Sequence, residues 1–167
     1  MNARTRAEAT SSLVAETLRS WGRVQLRARG TSMLPTLWPG DVLTIQFRSF
    51  EQVETGELVL YSRRGRLFIH RVLRRSGQGG DAVLITRGDS MADEDPAVSR
   101  AQLLGAVTEV DRDGCRLTPA RRLGLGRMTM AHLLCHWDLL RRVVLRLHSM
   151  PRDARPDFDF ACRKAAS

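Results

Sequence analysis

The chain has 167 residues, of which 43% are hydrophobic and 27% charged, an ordinary balance for one soluble globular domain able to bury a sizeable core. No run of about 18 apolar residues occurs, which excludes an apolar transmembrane helix, and Glu8 and Glu16 interrupt the first nineteen residues, which excludes a secretory leader. The formal net charge of +9 is lopsided, with twelve basic and five acidic residues from Arg112 to Ser167. A patch of that kind meets an acidic partner, nucleic acid or an anionic membrane surface. Cys115, Cys135 and Cys162 are odd in number and match no disulfide framework, so the thiols read as free and the compartment as reducing. These observations together predict a cytoplasmic protein.

Residues 7–21 read as a helix, with Leu13, Val14, Leu18 and Trp21 at helical spacing and Gly22 as the stop. Val24, Leu26 and Ala28 alternate with polar residues, a half-buried strand running into Gly30. A turn at Pro39-Gly40-Asp41 leads to a strand at 42–47. Strands follow at 57–61 and 67–73 around a turn at Gly65, then a glycine-rich loop at 76–80 and a strand at 82–86. Residues 90–100 are acidic and irregular. A hairpin closes at 103–110 and 115–118 through Asp113-Gly114. The fold is therefore mainly β, a small barrel or folded sheet, with an N-terminal helix.

After Pro119 the pattern changes. Residues 128–147 form an amphipathic helix carrying Leu133, Leu134, Trp137, Leu140, Val144 and Leu147 near one face. It could pack on the domain, pair with a second copy or lie on a membrane. Four regions result: an N-terminal helix at 1–22, a β domain at 23–119, a helical extension at 120–150 and a loose tail at 151–167.

Three clusters carry chemistry. Ser32 stands in a proline-broken loop, Gly30-Thr31-Ser32-Met33-Leu34-Pro35. His70 is the one histidine of the β domain, near the end of a strand where Phe68 and His70 share one face while Ile69 and Arg71 take the other. Asp89, Asp93 and Asp95 follow, each a candidate to accept the second imidazole N–H. Serine needs a neighbouring base to become a nucleophile, and histidine suits that task near neutral pH. The single lysine, Lys164, lies three residues from the C-terminus, and arginine does not deprotonate, so the base is not a cation of the core. His132, Cys135 and His136 share a helix, but a full ligand set is missing. No metal and no cofactor are expected.

The segment Gly30 to Asp41 resembles the nucleophile box of type I signal peptidases, Ser-Met-x-Pro-Thr-Leu-x-x-Gly-Asp. Gly56-Glu57-Leu58-Val59, Ile69-His70-Arg71-Val72 and Thr86-Arg87-Gly88-Asp89 resemble the boxes that follow, with histidine where the bacterial housekeeping enzymes place lysine and the archaeal and endoplasmic-reticulum type places histidine. The resemblance covers about half the chain. It implies a serine endopeptidase with Ser32 as nucleophile, His70 as general base, Asp95 as the distal acid, Asp89 as a structural or second acid, and Asp93 if the loop is shifted. It also implies that Met33 and Pro35 shape the loop and line the substrate groove. Many relatives carry a serine at the place of Gly30, so the oxyanion site here rests on backbone N–H groups, notably that of Ser32, aided by Thr31. The expected partner is a peptide or protein substrate, with peripheral contact to an anionic membrane surface; nucleic acid is not expected. Two other readings compete, a self-cleaving regulator of the SOS-repressor type and a non-catalytic basic binding module. The first normally uses lysine as base; the second predicts salt-sensitive binding.

Overall fold

In the computed structural model, residues 3–122 together with 124, 126, 129 and 130 are described. Helix α1 (Ala3–Trp21) opens the chain. It buries a narrower stripe than the hydrophobic residues predict. Ser11, Val14 and Leu18 are covered, whereas Leu13 is 63% and Trp21 80% exposed. Positions 11, 14 and 18 are three and four residues apart and therefore form one helical face. Ser11 is tolerated on it because its hydroxyl meets the Ser62 hydroxyl at 2.6 Å. Gly22, at φ +70°, closes the helix with its N–H on the Leu18 carbonyl.

Seven strands follow: β1 (Arg23–Arg27), β2 (Val42–Gln46), β3 (Leu58–Arg63), β4 (Arg66–Ser76), β5 (Val83–Arg87), β6 (Leu103–Arg112) and β7 (Cys115–Leu117). All pair antiparallel in one sheet of order β1-β2-β6-β3-β4-β5, with β7 beside β6. The chain is thus mainly β with an N-terminal helix. Among the described residues no ladder joins β1 to β5, so the sheet is folded and not closed. Two hairpins use paired left-handed residues, Arg64-Gly65 and Asp113-Gly114, the backbone that a two-residue turn between twisted strands requires. Register shifts at Thr44/Ile45, Leu60/Tyr61 and Val72/Arg74 interrupt the ladders, and an extra residue of this kind bends a strand.

The bending lets both faces of the central strand be covered. Leu58 and Leu60 of β3 join Val14, Leu18, Leu43 and Ile45 in one core, while Val59 and Tyr61 join Phe50, Val72, Leu84 and Val98 in another. That explains the unbroken apolar run at the start of β3, the pattern of a strand buried on both sides. Strand β4 runs to Ser76, past the expected end.

The helix expected at 128–147, the tail at 151–167, and His132, Cys135, His136, His148 and Lys164 lie outside the described residues. So does most of the basic stretch on which membrane contact was predicted.

Leu18 is 1% exposed and joins α1 to the first core. Leu18→Ala is expected to destabilise the fold by about 2–5 kcal/mol, the range for truncating a buried leucine, read as a lower urea midpoint at unchanged slope.

Candidate active site

Ser32 sits in a loop whose ends are clamped. Beyond β1, the Ala28 N–H donates to the Asp41 carbonyl at 2.8 Å and the Gly40 N–H to the Ala28 carbonyl at 2.9 Å. Between these bonds the chain folds into tight turns, with Leu34 donating to Thr31 and both Thr36 and Leu37 donating to Met33. Met33, Leu34 and Leu37 point inward. Met33 is 4% exposed and belongs to the core that holds Leu37, Leu43 and Val107, so its side chain anchors the loop from within. Pro35 is buried too, and its carbonyl accepts the Trp38 indole N–H at 3.0 Å.

His70 projects from β4 beside Tyr61 and Phe68, whose rings stack 5.5 Å apart. Its Nε2 lies 3.0 Å from Ser32 Oγ and its Nδ1 2.6 Å from Asp95 Oδ2. Asp95 belongs to the irregular segment after β5, and that segment is tied back to the strand. The Asp95 N–H donates to the Thr86 carbonyl, and the Thr86 hydroxyl donates to Asp95 Oδ2 at 2.7 Å. A carboxylate facing Nδ1 selects the tautomer with its proton on that nitrogen. The Nε2 lone pair is then free to accept from the serine hydroxyl.

Partial burial raises the Asp95 carboxyl, but hydrogen bonds from His70 and Thr86 and the imidazole charge act against it, and the net direction is below the ordinary aspartate range. Burial first, then the Asp95 charge, pushes the Tyr61 phenol up to about 12. Its hydroxyl, 3.4 Å from Nδ1, therefore keeps its proton.

Of the three candidate acids, the structure brings only Asp95 to the imidazole. Asp93 is exposed. Asp89 faces the opposite side of β4, where Arg71 Nε and an Nη hold both carboxylate oxygens at 2.8 Å. The same guanidinium donates to the Gly56 carbonyl at 2.8 Å, the Ala120 carbonyl at 2.7 Å and the Thr36 hydroxyl at 3.2 Å, while Thr36 donates to Asp89. Arg71 and Asp89 are both buried. The pair spans from the strand that carries His70 to the loop that carries Ser32. A second pair, Arg112–Asp41, holds the far end of that loop and also reaches the Thr36 carbonyl.

The arginines of these supports escaped sequence reasoning, whereas Asp89 was expected as a structural or second acid. An arginine directly after a candidate base must lie on the other strand face, and an arginine among apolar residues needs a buried partner. That signal was readable for Arg71. The roles of Tyr61 and Thr86 depend on pairing that spacing does not reveal. Gly30 is exposed, and a Cβ there would stand 4.0 Å from Ser32 Oγ. At Gly88 a Cβ would fall 2.6 Å from the Ser32 carbonyl oxygen, an approach that only glycine permits. Among the described residues no group of three His, Cys, Asp or Glu is arranged to hold a metal.

No protein-family model matches the chain. Curated relatives do. The chain is 40% identical over 62 residues to the signal peptidase complex catalytic subunit SEC11 of Colletotrichum graminicola, covering 35% of this chain and 36% of the relative. It is 37% identical over 67 residues to that of Chaetomium globosum, covering 38% and 39%. For Sclerotinia sclerotiorum the identity is 36% over 75 residues, covering 42% and 44%. The chain resembles the catalytic subunit of a signal peptidase.

The resemblance read from the four boxes is thereby supported by independent similarity, and the named relatives are catalytic subunits. The chain spans 36–44% of the length of these SEC11 relatives. Their names also overturn the cytoplasmic expectation, since each is a subunit of a signal peptidase complex. That expectation rested on the absence of a long apolar run, on the acidic residues of the N-terminal stretch and on the odd cysteine count. Among the described residues no helix is long and apolar enough to cross a membrane, and this does not define a compartment.

Two outcomes are expected. Arg71→Met leaves a buried carboxylate unpaired and should lower stability by about 3–5 kcal/mol, with partial recovery in Arg71→Met/Asp89→Leu, measured by urea unfolding. The lowered Asp95 carboxyl favours the fold above the ordinary aspartate range and ceases to do so as pH falls through its folded value. Asp95→Asn should therefore flatten the acid-side fall in thermal midpoint.

Proposed function

We propose that the chain is a serine endopeptidase of signal peptidase type, with Ser32 as nucleophile, His70 as general base and acid, and Asp95 as the group that orients the imidazole. The observation that carries this reading is the line of two hydrogen bonds, Ser32 Oγ to His70 Nε2 at 3.0 Å and His70 Nδ1 to Asp95 Oδ2 at 2.6 Å. The similarity to signal peptidase catalytic subunits supports the same reaction class.

In the first step Ser32 Oγ attacks the scissile carbonyl while its proton passes to His70 Nε2. The carbonyl oxygen becomes an oxyanion, stabilised by the Ser32 backbone N–H with help from Thr31. Collapse breaks the C–N bond, and the imidazolium returns its proton to the departing amine. Water then attacks the acyl-serine ester with His70 again as base, releasing the carboxylic acid and restoring Ser32. Asp95 keeps its charge throughout and stabilises the imidazolium. The substrate is an extended peptide segment of a protein, bound largely through main-chain pairing. As the relatives are by name subunits of a complex, partner subunits of such a complex are part of the proposal.

Acylation by p-nitrophenyl acetate followed by peptide mapping tests the site. Modification is expected at Ser32 and lost in His70→Ala. Ser32→Ala and His70→Ala should each lower peptide cleavage by at least about 10³-fold without altering the circular dichroism spectrum. Cleavage that persists in Ser32→Ala overturns the reading.

A further inference from the structure

Gly30 supplies no hydroxyl, so the oxyanion is met chiefly by backbone, and backbone donors act only if their peptide planes are held. Two planes matter, Thr31–Ser32 and Ser32–Met33. In a trans peptide the N–H points opposite to the C=O, and among the described residues only Leu34–Pro35 is cis. Whatever grips the Thr31 carbonyl therefore aims the Ser32 N–H, and whatever grips the Ser32 carbonyl aims the Met33 N–H.

The Leu34 N–H shares the Thr31 carbonyl at 3.2 Å, but one residue grips both carbonyls. The Ser90 hydroxyl donates to the Thr31 carbonyl at 2.8 Å, and the Ser90 N–H donates to the Ser32 carbonyl at 2.9 Å. Ser90 is 8% exposed, so these bonds face little competition from water. It follows Asp89, which Arg71 fixes through two charge-assisted bonds. It also lies two residues after Gly88, whose missing side chain lets this loop approach the serine loop. Among the described residues the Ser32 and Met33 N–H groups take part in none of the bonds that shape the loop. By trans-peptide geometry they point away from the Ser90 contacts.

We infer that Ser90 is a positioning residue for the oxyanion site: by holding the Thr31 and Ser32 carbonyls it turns the Ser32 and Met33 N–H groups toward the developing oxyanion. This rests on the peptidase reading and adds to it a second backbone donor, Met33 N–H, and the side chain that aims the first. Ser90 meets the loop through the Thr31 and Ser32 carbonyls and not through the Ser32 hydroxyl. Its removal should impair the transition state and leave both ground-state binding and the protonation of the imidazole as they were.

The test compares the parent with Ser90→Ala and Ser90→Thr, using p-nitrophenyl acetate. Acylation forms the Ser32 ester and releases p-nitrophenolate, so its saturating rate and half-saturation concentration are read separately. Ser90→Ala is expected to lower the saturating rate by about tenfold, less than the 10²-fold or more for deleting a donor outright. Half-saturation should stay within about twofold and the pH profile unshifted. Ser90→Thr, which keeps the hydroxyl, should restore the rate. In the parent, NMR should detect through-hydrogen-bond coupling between the Ser90 amide nitrogen and the Ser32 carbonyl carbon, and Ser90→Ala should shift the Thr31 carbonyl signal.

An unchanged rate in Ser90→Ala, a loss confined to half-saturation, a moved pH profile or a missing coupling overturns the inference while the peptidase reading stands. A parent that is not acylated at Ser32 overturns the peptidase reading, and this inference with it. If Ser90→Ala does not fold, the coupling in the parent and the rate of Ser90→Thr decide.

Discussion

The Arg71 guanidinium is the constraint on which the rest of the structure depends. All five of its N–H groups are used, on Asp89, the Thr36 hydroxyl and the carbonyls of Gly56 and Ala120. A buried arginine charge is tolerated only when paired and fully hydrogen-bonded. The fold meets that demand by drawing four separate segments against β4. One is the serine loop and another is the acidic loop after β5. Since Arg71 and His70 are adjacent on the strand, satisfying the charge on one face sets how those loops approach the imidazole on the other.

This division of faces explains why two aspartates of one short segment do different work. Asp89 neutralises Arg71 and fastens the loop. Asp95, six residues on, reaches the imidazole because the segment turns back and bonds to Thr86. The carboxylate that pairs with arginine cannot also orient the imidazole, because β4 stands between the two. Arg112–Asp41 repeats the arrangement at the other end of the serine loop. That loop, without helix or strand of its own, is held by one buried and one half-buried ion pair and by three inward apolar side chains.

Much of the fold was legible in the sequence. Alternation located β1 and a β-branched run located β2 within a residue or two, because one-sided burial imposes a period of two. Asp113-Gly114 and Gly65 marked their turns through backbone preference. The helix stripe was read too wide. Leu13 and Trp21 have helical spacing but find no partner surface among the described residues, whereas the polar Ser11 faces the sheet through a hydroxyl pair. Hydrophobicity ranks side chains; it does not register where a particular hydrogen bond permits burial. The Met33 side chain shows the same point, since a residue beside Ser32 in the loop can still serve the core.

What the sequence determined by itself was the set of chemical groups and their order along the chain: a serine in a loop, a histidine on an alternating strand, carboxylates after the next strand, and no lysine near them. Those follow from residue identity and local periodicity. Which aspartate meets the imidazole, that Arg71 and Arg112 brace the serine loop, and that Ser90 holds its carbonyls were decided only by tertiary structure. Each depends on strand register and on two loops meeting from distant parts of the chain, and the requirement that every buried charge and carbonyl find a partner is satisfied only when the whole sheet is assembled.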